Sequence, residues 1–191
     1  LWPTIAGCCI SYYQSAGSEQ VSLEQLVQFY VEDLHRGRKI VMAEELQTYL
    51  LEHFQWLHRH PELALKEYET TNYVKNVLKQ TEGVELLNLG LDTGALAKIE
   101  GKEPGGVVAI RADIDALPIL EVSGLCYSSE YVGCMLACGL DFHTTALLGV
   151  AKLLGGEREH IKGTVILLFQ PAEEAEHGGE KVVNTGMFEK Y

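Results

Sequence analysis

Thr164-Val165-Ile166-Leu167-Leu168-Phe169 is an uncharged, largely branched run that stops at Gln170-Pro171-Ala172-Glu173-Glu174. A run of this kind reads as a strand covered on both faces. Upstream, Val107-Val108-Ala109-Ile110 has the same character and runs directly into Arg111-Ala112-Asp113-Ile114-Asp115. Between the two lies Asp141–Leu154, where Ala146, Leu147, Val150, Ala151 and Leu154 recur at helical spacing. Asp141 stands there as an N-cap and Gly155-Gly156 as a stop. Strand, helix and strand in that order predict an α/β domain, a three-layer helix-sheet-helix with a mostly parallel sheet.

Further outward, Val84–Leu89 and Ala95–Ile99 are strand candidates, and Lys102-Glu103-Pro104-Gly105-Gly106 is a surface turn. Helices are expected over Ala43–His58, with Leu46, Leu50, Phe54 and Leu57 on one stripe, and over Lys66–Gln80. Another runs from Ser22, which with Gln25 resembles a capping box, to Gly37. A short one follows near Glu180–Asn184. Residues 1–42 thus read as an amino-terminal extension with one helix, and residues 43–191 as the folded unit.

The 191 residues are 47% hydrophobic and 22% charged, with a net charge of -12, a composition that fits a folded globular chain. The acidic balance and the scattering of the basic residues argue against nucleic acid as a partner. No run reaches the ~20 apolar residues of a spanning helix, so no membrane partner is expected. Cys8, Cys9, Cys126, Cys134 and Cys138 form no CxxC pair and no dense framework, which points to a reducing, cytoplasmic setting. There is no phosphate-binding glycine loop and no HExxH. His58-Arg59-His60 reads as the end of a helix, where cations suit the dipole.

Sites in open α/β sheets gather at the carboxyl ends of strands. Two such ends carry paired acids, Asp113/Asp115 and Glu173/Glu174. Carboxylates in pairs can divide the work of metal-assisted hydrolysis, one oxygen set binding the ion and another accepting a proton from water. They can equally be solvated or cap helices. Cys138 and His143 could be zinc ligands, a nucleophile with its base, or a buried thiol beside an unrelated imidazole.

Five stretches occur in order: His58-Arg59-His60-Pro61-Glu62-Leu63, Glu67-Tyr68-Glu69-Thr70, Arg111 to Pro118, Ala137-Cys138-Gly139, and Phe169 to Glu174. Together they resemble the aminoacylase-like metallopeptidase and amidohydrolase family, which includes hippurate hydrolases, N-acyl amino acid deacetylases and auxin-conjugate hydrolases. The resemblance implies a zinc or manganese centre acting on a small N-acyl amino acid or peptide. It assigns metal ligation to Cys138 and Glu174, the general base to Glu173, and a supporting place near the reaction to Asp115. It also implies that residues 43–191 are the amino-terminal half of a zinc-peptidase-like catalytic domain, without the family's dimerisation domain. The family pattern has histidines where this chain has Leu136 and Leu140, and the one at Leu140 is a metal ligand there. An alkyl group has no lone pair, so the metal is expected to be weakly bound or absent and catalysis impaired or lost. The alternative is a non-catalytic binding or assembly protein that keeps the fold, self-associating through an incomplete sheet surface.

Overall fold

The structure, a computed structural model, describes residues 39–191, with side chains from Glu45 onward. The helix expected over 22–37 and the cysteines at 8 and 9 lie outside the described residues. The first helix, α1, spans Lys39–Arg59 and α2 spans Tyr68–Gln80. Strands β1 (Val84–Leu87), β2 (Ala95–Glu100) and β3 (Glu103–Asp113) follow. Helix α3 (Leu140–Gly156) leads through a 3-10 turn at Arg158–His160 into β4 (Lys162–Gln170). Two short helices, α4 (Gly178–Asn184) and α5 (Met187–Lys190), complete the described chain.

The sheet order is β1-β2-β4-β3. Both the β1/β2 and β2/β4 pairs are antiparallel, and β3/β4 alone is parallel. The sheet is therefore mixed and mostly antiparallel, which corrects the mostly parallel arrangement expected from sequence. The reason lies in the connections. A parallel crossover needs about a dozen residues or more, and only the β3-to-β4 connection, which contains α3, is that long. The β1-to-β2 link is residues 88–94 alone.

The helix-sheet-helix layering does follow from the apolar pattern. On one face Ala95, Ala97, Ile99, Leu167 and Phe169 pack with Val74 and Leu78 of α2 and Leu147, Leu148 and Ala151 of α3. On the other, Leu96, Ile166 and Leu168 meet Val182 of α4 and Met187 of α5. Alternate residues of β4 thus enter opposite cores, and the unbroken run reports two-sided burial rather than strand direction.

Local details also shift. The expected turn at 102–106 lies mostly within β3, whose pairing with β4 changes register between Glu103 and Val107. Helix α2 starts at Tyr68 rather than Lys66, and β1 stops at Leu87. Asp141 is not the N-cap of α3. That place belongs to Gly139, at φ 79°, a left-handed conformation that glycine enters without steric cost. Asp141 instead sits in the first turn, where a negative charge suits the helix dipole.

Candidate functional site

The parallel pair β3/β4 brings both acid-bearing strand ends to one side of the sheet. Asp113 pairs with Gln170 in the ladder, and the next amide, Ile114 N, donates to Gln170 O at 3.1 Å. Past that point the two chains diverge, and their side chains fill the space between.

Asp115 is 0% exposed. Its Oδ1 accepts the Glu173 amide at 2.8 Å and its Oδ2 the Glu174 amide at 2.9 Å. Burial pushes its carboxyl above the ordinary range, the amides partly oppose this, and the charge of Glu174 adds to it. The two glutamates then part. Glu173 Oε2 accepts from Arg111 Nη2 and, at 2.8 Å, from Gln170 Nε2. Arg111 Nε also donates to Gln170 Oε1 at 2.8 Å, and its Nη2 lies 3.4 Å from Asp113 Oδ2. Glu174 meets the Cys138 thiol. That hydrogen bond, then burial and the carboxylate charges of Glu174, Asp113 and Asp115, push the thiol up to about 11.

His143 Nδ1 shares a hydrogen bond with Asp113 Oδ1 at 2.8 Å, and the Thr144 hydroxyl donates to Asp113 O at 2.8 Å. Asp113 thereby fixes the start of α3 against the end of β3. Asp113 and Asp115 do not share a partner, because β3 ends at Asp113 and the chain leaves the ladder there. The cysteine-nucleophile reading fares badly here. A thiol held protonated by surrounding carboxylates is the reverse of the electropositive setting that generates a thiolate.

A metal ion needs three or four donors converging on one point. Cys138 and Glu174 are together, and a cation beside them would favour loss of the thiol proton. The neighbouring acids are committed elsewhere, Asp115 to two amides and Asp113 to His143 and Arg111. Leu140 is 4% exposed and packs with Leu57, Ala116, Cys134 and Leu136. Where an imidazole donor would help, the chain has a hydrocarbon cluster. Among the described residues no group of three or more His, Cys, Asp and Glu could hold a metal ion. The donor set present does not fit a closed metal centre.

Sequence reasoning passed over four residues that build this region. Arg111 and Gln170 fix Glu173. Glu67, fully buried, accepts the Ala172 amide through Oε1 at 2.8 Å. His58 is not a solvated helix end. It is 6% exposed and bridges Asp141 Oδ2 at 2.6 Å and Glu121 Oε1 at 3.1 Å. The available signal was that all four fall inside the stretches that carry the family resemblance. A polar cleft lined by Gly83, Lys98, Glu100 and Arg158 lies at the other end of β4 and contains none of these groups.

Residues 109–191 match peptidase family M20/M25/M40. N-acetyl-L-cysteine deacetylase of Bacillus subtilis is 41% identical over 189 residues, 98% of this chain and 42% of the relative. IAA-amino acid hydrolase ILR1-like 5 of Arabidopsis thaliana is 46% identical over 133 residues, 70% of this chain and 30% of the relative. Among solved structures, the Bacillus subtilis YXEP protein, a dinuclear metal binding peptidase from the M20 family, superposes with TM-score 0.73 at 46% identity. The match covers 75% of this chain and 40% of that one. The chain spans less than half the length of these relatives.

Proposed function

Because this chain belongs to peptidase family M20/M25/M40, among metal-dependent amidohydrolases, we propose that it is an amidohydrolase relative whose metal binding and catalysis are impaired. The substrate class from which it derives is the small N-acyl amino acid or peptide, as the names of the deacetylase and the IAA-amino acid hydrolase support. Glu173 has the place of the general base, Asp115 that of the acid behind it, and Cys138 with Glu174 are the donors left to zinc or manganese. When bound, such an ion would polarise an amide carbonyl and activate water. This chain's own contribution is to hold two carboxylates at fixed positions beside an arginine.

One observation carries the reading: Leu140 lies in an apolar cluster with Leu57 and Leu136. Elemental analysis of the full chain, incubated with zinc or manganese and then desalted, should give metal content far below stoichiometric. A stoichiometric ion that is lost in both Cys138→Ala and Glu174→Gln would overturn the proposal.

A second reading, assembly through the sheet, is favoured by Val107 and Val108 on β3, an edge strand of the described sheet, at 37% and 41% exposure. An open edge with apolar side chains is a template for a second copy. Light scattering should show the full chain as an oligomer whose mass falls toward the monomer in Val108→Lys. A monomeric wild type would end this reading. We further assign residues 43–191 to the catalytic-domain half and 1–42 to an extension. A cytoplasmic location is supported by the unpaired thiols of Cys126, Cys134 and Cys138. No helix among the described residues is long and apolar enough to cross a membrane.

A further inference from the structure

We propose that Glu67 is a positioning residue for the Glu173/Glu174 turn, gripping it through a buried carboxyl group brought from the start of α2; the inference rests on the reading of that turn as the site. Glu67 occupies the N-cap of α2, yet its side chain makes no capping hydrogen bond. Short aspartate, asparagine, serine or threonine side chains at this position ordinarily satisfy the first amides of their own helix. Here Glu62 does so instead, its Oε1 accepting the Glu69 amide at 3.1 Å and its Oε2 the Thr70 amide at 2.7 Å. Glu67 is released from local duty, and Oε1 reaches Ala172.

The residue it holds has an unusual backbone. Ala172 sits at φ 59°, in the left-handed region that costs an L-residue with a side chain and persists only where the surroundings enforce it. Its amide is held by Glu67, and its carbonyl accepts the Gly178 amide at 2.9 Å. Gly178 has no room for a side chain, because a Cβ there would lie 1.8 Å from the Pro171 carbonyl oxygen. The next two amides, of Glu173 and Glu174, are those that Asp115 accepts. Three consecutive amides, 172 to 174, are therefore clamped between two fully buried carboxyl groups. The clamp sets the direction in which both glutamate side chains leave the turn.

Filling space alone does not account for Glu67. Its side chain is 0% exposed, and Oε2 has no well-formed hydrogen bond. Burial pushes its carboxyl above the ordinary range, and nearby donors, its own amide and that of Ala172 foremost, only partly oppose this. An apolar residue would fill the same space without stranding a polar atom. What it could not do is accept the Ala172 amide.

The test is hydrogen exchange read by mass spectrometry on the full chain, comparing peptides over 171–175 with peptides over 165–168 of β4. Glu67→Gln keeps an acceptor and should retain wild-type protection in both. Glu67→Leu keeps the volume without the acceptor, and exchange at 172–174 should accelerate by about tenfold or more while β4 stays protected. Should Glu67→Leu fail to fold, Glu67→Asp, one methylene too short to reach, is read in the same way. An unchanged turn in these variants, equal loss in turn and strand, or a Glu67→Gln chain as loose as Glu67→Leu would each overturn the inference. Exchange needs neither metal nor substrate, so a stoichiometric metal content would overturn the proposed function and leave this inference standing.

Discussion

Replacing His58 by alanine should lower the unfolding free energy of the chain by about 3 to 5 kcal/mol near pH 5.5, the cost of removing one partner from a buried ionic cluster. Its imidazole joins three segments: the end of α1, the start of α3 through Asp141, and the loop after β3 through Glu121. Asp141 and Glu121 have side chains 3% exposed. Without His58 they become two uncompensated carboxylates facing one cavity. Glu121 also anchors its own loop, accepting the Ser129 amide at 2.6 Å and the Ser123 hydroxyl, so the loss spreads beyond one contact. The pH dependence follows from the direction of the shifts. Burial opposes the charge on His58, but the hydrogen bonds and charges of Asp141 and Glu121 outweigh it and raise its pKa. The stabilisation from a raised imidazole is complete below the unfolded value of about 6.5 and is lost as pH rises through the folded one. Glu121 works the other way. Burial raises it, but Ser123, Ser129 and His58 together bring it down to about 2. Its contribution is present above the unfolded carboxylate range and lost as pH falls through about 2. The brace is therefore strongest between the two unfolded values, in mildly acidic solution. Urea titrations of wild type and His58→Ala at pH 5.5 and 8.5 should show the larger gap at the lower pH. Equal gaps would mean that His58 fills space and carries no charge.

Periodicity reported what depends on near neighbours. β4 and α3 lie where their residue types put them, and the strand ends carry their acids to one side because strand, helix and strand make a parallel unit with both carboxyl ends together. Strand direction elsewhere was not in the apolar runs. It was in the lengths between them, since residues 88–94 cannot cross a sheet and return. Partnership was legible least of all. Glu67 meets Ala172 across a separation of 105 residues, and His58 meets Asp141 across 83. Nothing local distinguishes a glutamate that will be buried from one that will be solvated, because what makes burial tolerable is a donor brought from elsewhere. Leu136 and Leu140 are the opposite case. As leucines they predict apolar packing, which the cluster around Leu57 displays, and only the resemblance drawn from the sequence marks them as departures from histidine.

Asp115→Ala should cost about 2 to 4 kcal/mol, since it strands two amides that now donate to one buried carboxylate. Asp115→Asn retains one acceptor oxygen but turns an NH2 toward the other amide, so its cost should be about half as large. The two variants should also separate with pH. Because burial lifts the Asp115 carboxyl above its ordinary value, the native state holds its proton more tightly than the unfolded chain does. Wild type therefore loses stability from this group as pH rises from its unfolded value through its folded one. The asparagine has no such term, so the deficit of Asp115→Asn should shrink between pH 4 and pH 8, as denaturant titration would show. The same variants address the site. With Asp115 gone, Glu173 keeps its side-chain bonds to Arg111 and Gln170 but its backbone amide loses the carboxylate that accepts it. The turn should then exchange its amide hydrogens faster in Asp115→Ala than in Asp115→Asn. An Asp115→Ala chain as stable as wild type would show that the turn is fastened by the Glu67 grip and the Arg111 contacts without Asp115.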